Sequence, residues 1–238
     1  MAEETLTTTG ASKTMPVLPA WLAQTLRVLI IVAIPVALVM TNVRLMLTDL
    51  YVNYEYNKAS FPPDIMGLWT TEDRLTYSRL ALDYLLNDAG IEFLGEQVFP
   101  DGATYTGREL GHMLDVKIVV QWTLRVGYAA LLIAIVGSLL LAWPPETRPI
   151  ARSALMIGSG ILLAILLALL AYIALNFNAF FTQFHNVFFA EGTWMFRLDD
   201  VLIRMFPLQF WSDIFALIGG LSIIQALLIL GLSWRFLR

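Results

Sequence analysis

From Ala154 to Leu175 the chain carries no charged residue and is built mostly of Leu, Ala and Ile. At ~1.5 Å of helical rise per residue, such a run reaches across the ~30 Å hydrocarbon core of a bilayer. Inside that core every backbone N–H and C=O needs a partner within the protein, so only helices or a closed barrel can span it. Three further runs share this character. Trp21–Met46 holds an uninterrupted apolar stretch from Val28 to Met40, and Ile118–Trp143 is broken only by Gln121, Trp122, Thr123 and Arg125. Ile214–Trp234 contains Gly219-Gly220 and one amide, Gln225. Composition points the same way: 58% of residues are apolar and 14% charged, against about 25% charged in soluble domains. The expected fold class is all-α, a polytopic four-transmembrane-helix bundle with spans at about 21–46, 118–143, 154–175 and 212–234.

The remaining segments set the orientation. Residues 1–20, polar and rich in threonine (Thr5, Thr7, Thr8, Thr9), read as a disordered tail ahead of an uncleaved anchor. Residues 21–238 read as a single membrane domain. Basic residues mark the cytoplasmic flanks: Lys13 and Arg27 at the start, Arg148 and Arg152 in the link between the second and third spans, Arg235 and Arg238 at the end. With four spans all three fall on one side, so both termini are expected in the cytoplasm, with 47–117 and 176–211 extracytoplasmic. Trp21, Trp143, Trp211 and Trp234 stand at span ends, where indoles favour the headgroup belt.

The first extracytoplasmic segment reads as helical. Thr70-Thr71-Glu72-Asp73 has the features of a helix start, Leu75, Leu82, Leu85 and Leu86 follow at helical spacing, and Asn87-Asp88-Ala89-Gly90 is a stop. Thr106-Gly107-Arg108-Glu109 has capping-box spacing, and a helix begun there runs through Lys117 into the second span.

Chemistry is restricted by what is missing. There is no cysteine, so disulfides, thiolate metal sites and a cysteine nucleophile are excluded. A net charge of −4 gives no reason to expect nucleic acid, and no phosphate-binding glycine motif, nucleophile elbow or zinc-type histidine pair occurs. Two histidines remain, His112 and His185, both expected on the extracytoplasmic side near the membrane surface. A helix through 108–115 places Arg108, His112 and Asp115 within about a third of its circumference. Asp115 is then spaced to accept from one ring nitrogen of His112, which leaves the other as a base. Against this stands the plainer reading, that an interfacial histidine is an ordinary polar residue. The phenylalanines at 177, 180, 181, 184 and 188 recur at helical spacing, as a packing or lipid-facing stripe does. Arg125 is a charge inside a span, where charges are costly and usually paired or functional. Gly158-Ser159-Gly160 and Gly219-Gly220 suit close helix packing.

Two stretches carry a resemblance. Arg108-Glu109-Leu110-Gly111-His112-Met113-Leu114-Asp115-Val116-Lys117 resembles a signature of a bacterial membrane family, the lipoprotein intramolecular transacylases. Phe184-His185-Asn186-Val187-Phe188-Phe189, with Trp194 and then Leu202-Ile203-Arg204-Met205-Phe206-Pro207, is similar to that family's second conserved region. Where relatives often carry Glu after the last proline, this chain has Leu208-Gln209. The resemblance implies an enzyme of the bacterial cytoplasmic membrane. It moves an ester-linked acyl chain of a lipoprotein's diacylglyceryl-cysteine onto that cysteine's own α-amine, with no cofactor or metal. Its partners are diacylglyceryl lipoproteins and the phospholipid bilayer. Carried onto this sequence, the catalytic candidates are His112, His185, Asp115 and Glu109, with Asp115 or Glu109 orienting His112. The substrate-binding candidates are Arg108, Arg125, Trp194 and Asn186. Two other readings remain open at this point, a non-catalytic subunit or assembly factor of a membrane complex and a bis-histidine haem or metal protein.

Overall fold

The structure is a computed structural model describing residues 18–237; positions 1–17 of the expected tail lie outside the described residues. In chain order the helices are α1 (Ala20–Met46), α2 (Asp49–Tyr56), α3 (Thr71–Leu86), α4 (Glu92–Gly95) and α5 (Gly107–Ala142). A 3-10 turn at Pro145–Thr147 leads to α6 (Arg148–Leu175), α7 (Phe177–Phe188), α8 (Val201–Met205) and α9 (Leu208–Phe236). Among the described residues four helices, α1, α5, α6 and α9, are long and apolar enough to cross a membrane. The chain is a multi-pass, all-helical membrane protein.

Both expected helix starts are present, each closed by a capping box. The Asp73 N–H donates to Thr70 Oγ1 (3.1 Å) while the Thr70 N–H donates to Asp73 Oδ2 (2.8 Å), starting α3. Thr106 and Glu109 repeat the exchange and start α5, which runs unbroken into the span. Two spans begin earlier than their hydropathy suggests. Pro149 in the first turn of α6 needs no N–H partner there, and Pro207 is the N-cap of α9.

α1 lies against α5, α6 and α9, and small residues set how closely. A Cβ at Gly127 of α5 would fall 2.4 Å from Met40 Cβ. Pro35 has no N–H to give the Ile31 carbonyl, and α6 brings Gly158 against that carbonyl, where a Cβ would stand 3.0 Å away. Of the expected small-residue contacts, Gly158 and Gly219 make close ones, whereas Gly160 and Gly220 face open space. A polar clasp ties α1 to α9: Asn42 Nδ2 donates to Ser222 Oγ (2.8 Å) and Gln225 Oε1 (2.9 Å), and Gln225 Nε2 donates back to Asn42 Oδ1 (3.2 Å).

Helices α2, α3, α4, α7 and α8 cap one end of this bundle. Because Met40 faces Gly127 and Ile30 faces Gly137, α1 ends level with about residue 121 of α5 at ~1.5 Å per residue. Residues 107–117 of α5 therefore project beyond the spanning part into the cap. Buried polar contacts hold the cap together. Arg204 of α8 forks onto Asp64 through Nε and Nη2 (both 2.9 Å), reaches Asp101 through Nη1 (2.7 Å) and lies over the Trp69 ring. That fork holds the Asp64 carboxyl down to about 2, against the opposing effect of burial. Tyr56 donates to the Met205 carbonyl at 2.5 Å. Glu109 closes the set: its Oε2 serves the α5 cap, and its Oε1 accepts from the Leu202 N–H at 2.8 Å, joining the starts of α5 and α8.

Candidate active site

Where the ends of α1 and α9 meet the cap there is a cavity of about 140 Å³. Met46, Leu82, Leu85, Val116, Phe206, Phe210 and Ile214 give it apolar walls, and no Asp, Glu, Lys or Arg lines it. Its polar atoms come from Ser78, His112, His185, Trp194 and Trp211.

The two histidines arrive from different elements. His112 lies in the second turn of α5, in the projecting part fixed by the Thr106–Glu109 cap. His185 lies near the end of α7, which starts where Asn176 Oδ1 accepts from the Ala179 N–H (3.0 Å). Phe180 and Phe184 on α7 press against Phe215 of α9, with ring centroids 4.9 and 5.3 Å apart. That is the packing role of the stripe, and it turns Phe181 and His185 toward the cavity. The imidazole centroids are 6.2 Å apart with planes 24° from parallel. Both rings line the one cavity, so a group bound there meets both.

Protonation follows from the partners. His185 Nδ1 lies 2.8 Å from the Phe181 carbonyl oxygen, which only accepts; the proton is therefore on Nδ1 and the Nε2 lone pair is free. Burial pushes His185 below its ordinary value, opposed in part by that hydrogen bond. Burial pushes His112 further, down to about 4, helped by the neighbouring His185. Both rings are neutral at pH 7. Two polar atoms here are buried without a partner, Nδ1 of His112 and Nε1 of Trp194. The Trp194 ring stands 4.7 Å from His185, and the Phe196 and Phe189 edges meet His112 at 5.3 and 4.8 Å.

Of the sequence candidates, His112, His185 and Trp194 meet in the cavity. Asp115 does not lie against His112: it stands exposed outside the cavity while His112 Nδ1 has no partner. Three residues along a helix is ~300°, which leaves a short side chain free to turn to water. Glu109 is fully buried, but its oxygens face Thr106 and Leu202. Arg108 bonds to Asp200 at 3.1 Å over the Phe196 ring, holding the 190–200 loop from which Trp194 and Phe196 reach the cavity. Asn186 and Arg125 are exposed and lie outside the lining. Sequence reasoning passed over Ser78 and Phe196, which have no motif around them. Among the described residues no three His, Asp or Glu side chains gather in a metal-binding group.

A family model for the lipoprotein intramolecular transacylase Lit matches residues 28–211. The chain belongs to the lipoprotein intramolecular transacylase family. An uncharacterized protein of Aquifex aeolicus (strain VF5) is 32% identical over 192 residues, covering 79% of this chain and 84% of that one. The fold resembles the in meso structure of the membrane integral lipoprotein intramolecular transacylase Lit from Bacillus cereus, with a TM-score of 0.70 at 18% identity over 92% of this chain and 97% of that one. A variant of that enzyme with one histidine replaced by arginine gives a TM-score of 0.64 at 20% identity, over 91% and 92% of the two chains. At these identities the structural likeness establishes the fold, and the sequence match establishes the transacylase family. Both histidines and Trp194 lie inside the matched range.

Proposed function

We propose that this chain carries out the family's acyl transfer in the cavity between His112 and His185, with His185 as the base. Donor ester and acceptor amine sit on one cysteine residue, so orientation is largely given before binding. The amine, with a pKa near ~8, is mostly protonated in neutral water. A cavity with no carboxylate gives an ammonium ion no counter-charge, so the amine loses its proton on moving in. The neutral nitrogen attacks the ester carbonyl. As the C–N bond forms, His185 Nε2 takes the second N–H proton. The tetrahedral oxyanion is stabilised by the Trp194 indole N–H, a donor with no other partner. Collapse breaks the C–O bond, and His185 Nε2 returns the proton it took to the departing glyceryl oxygen, restoring two neutral rings. No water, acyl-enzyme or electron carrier is needed for this balance.

The observation that supports this reading most is the pairing of two neutral, buried imidazoles, centroids 6.2 Å apart, on one apolar cavity. Position supports it too, since the cavity lies at the ends of α1 and α9, the depth at which an ester carbonyl sits with its acyl chain in the bilayer. From the arginines at 148, 152 and 235 we infer that the other end of the bundle faces the cytoplasm, which puts the site where exported lipoproteins are. The test is incubation of the purified protein with a synthetic diacylglyceryl lipopeptide, followed by fragment-ion mass spectrometry. The proposal expects conversion to the N-acyl, S-monoacylglyceryl isomer at unchanged mass, and at least ~10²-fold slower conversion by His185→Ala. An inert wild-type protein, or a fully active His185→Ala, would overturn it.

A further inference from the structure

On the flank of the bundle away from the catalytic cavity, α1 and α5 leave a second concavity of about 180 Å³. It is lined by Val36 and Met40 of α1 and by Trp122, Thr123 and Val126 of α5, and its exposed surface is wholly apolar. The Thr123 hydroxyl is engaged by the carbonyls of Val119 and Val120, at 2.8 and 3.0 Å. Arg125 stands at the rim. It is exposed, about one turn inside the level at which α1 ends, and its guanidinium sits 5.5 Å from the Trp122 ring centroid. Among the described residues no carboxylate forms an ion pair with it.

A lipid-facing arginine without a counter-ion is costly unless an anion or water reaches it. Its guanidinium reaches back over Trp122, one turn nearer the cap, the direction in which a long stem carries a charge toward the headgroup level. From that level the groove leads inward along Trp122 and Val126 toward Val36, the course an acyl chain takes. We infer that this groove is a phospholipid-binding site. The phosphodiester of a lipid in the cap-end leaflet is held by Arg125, and one of its acyl chains lies between α1 and α5. A fork-shaped guanidinium matches phosphate oxygens two at a time. The transacylase substrate fits less well, because a diacylglyceryl-cysteine carries no phosphate. The occupant is therefore a bilayer lipid and not the lipoprotein.

The inference is tested by binding alone and does not depend on turnover. Full-length protein in detergent is titrated with dioleoyl-phosphatidylglycerol or with dioleoylglycerol, which has the same chains and no phosphate, and adducts are counted by native mass spectrometry. Wild-type protein is expected to hold one phosphatidylglycerol, at least ~10-fold more tightly than dioleoylglycerol, the smallest advantage expected of a charge-assisted contact. Arg125→Gln should remove that preference, and Val126→Trp, which fills the groove, should weaken both lipids. Equal phosphatidylglycerol binding by Arg125→Gln, equal binding of the two lipids by wild type, or unaltered binding by Val126→Trp would overturn it. Competitive displacement of the phosphatidylglycerol by a diacylglyceryl lipopeptide would overturn it as well, by assigning the groove to the substrate.

Discussion

Replacing Trp194 with phenylalanine separates a catalytic donor from a packing residue. In the resting protein the indole N–H is buried with no acceptor, a state that costs about 1–3 kcal/mol relative to a satisfied or absent donor. Phenylalanine keeps an aromatic ring against His185, now 4.7 Å away, and removes the N–H. The loss of ring area on a half-buried side chain is worth about 1 kcal/mol, so the two effects nearly cancel or favour the variant. Thermal unfolding in detergent should leave Tm unchanged or raise it by a few degrees. If the same N–H stabilises the oxyanion, its removal slows turnover by about 10²–10³-fold, ~2.7–4 kcal/mol of transition-state stabilisation. Rates are read from the fragment ions of a diacylglyceryl lipopeptide over time, at saturating substrate so that kcat is separated from binding. A Trp194→Phe protein with wild-type kcat refutes the donor role. A drop in Tm with a parallel loss of folded protein means that Trp194 acts through packing.

Three further outcomes follow from the same structure. Both histidines have folded-state values below the ordinary ~6.5, so the neutral form of each predominates from pH 8 down to 7. The acid limb of kcat/KM should therefore follow the substrate amine near pH ~8, with no added inflection at 6.5. For stability the sign is fixed by proton uptake: the unfolded chain protonates His112 near 6.5 and the native protein only near about 4. Stability is accordingly flat above ~7 and falls between about 6.5 and 4; His112→Gln should flatten that fall in a Tm-against-pH series, and an unchanged slope would contradict the assignment. The natural absence of cysteine allows topology to be read directly. A Thr104→Cys protein should react with an impermeant thiol reagent on intact cells and Glu146→Cys only after permeabilisation, and the reverse pattern would invert the orientation.

Much of the fold was readable because it is written locally. Four apolar runs become four long helices, the expected helix start at Thr70–Asp73 begins α3, and the Thr106–Glu109 box starts α5 as its spacing predicts. Helix starts drifted where proline was the signal, since Pro149 and Pro207 extend α6 and α9 into polar sequence that hydropathy excludes. The site was half legible. Both histidines and Trp194 stood out as residue types. What joins them is the turn at Asn176 and the seating of α7 on Phe215, contacts that no local pattern contains. Spacing suggested that Asp115 serves His112, but being on a neighbouring face of a helix does not oblige a short carboxylate to leave water. Glu109 and Arg204 were visible as motif residues. Their work, tying α8 to α5 and to Asp64 and Asp101, depends on partners roughly a hundred residues away.

The central claim is that the acyl chain never leaves its own molecule, and a crossover experiment tests it most directly. Two diacylglyceryl lipopeptides are mixed with the purified protein, one with deuterated acyl chains and the other with a ¹³C-labelled peptide. Transfer between ester and amine held together in the His112–His185 cavity predicts N-acyl products in which every deuterated chain sits on an unlabelled peptide. Products with deuterated chains on the ¹³C peptide would show that the acyl group is released or passed between molecules, and would contradict intramolecular transfer.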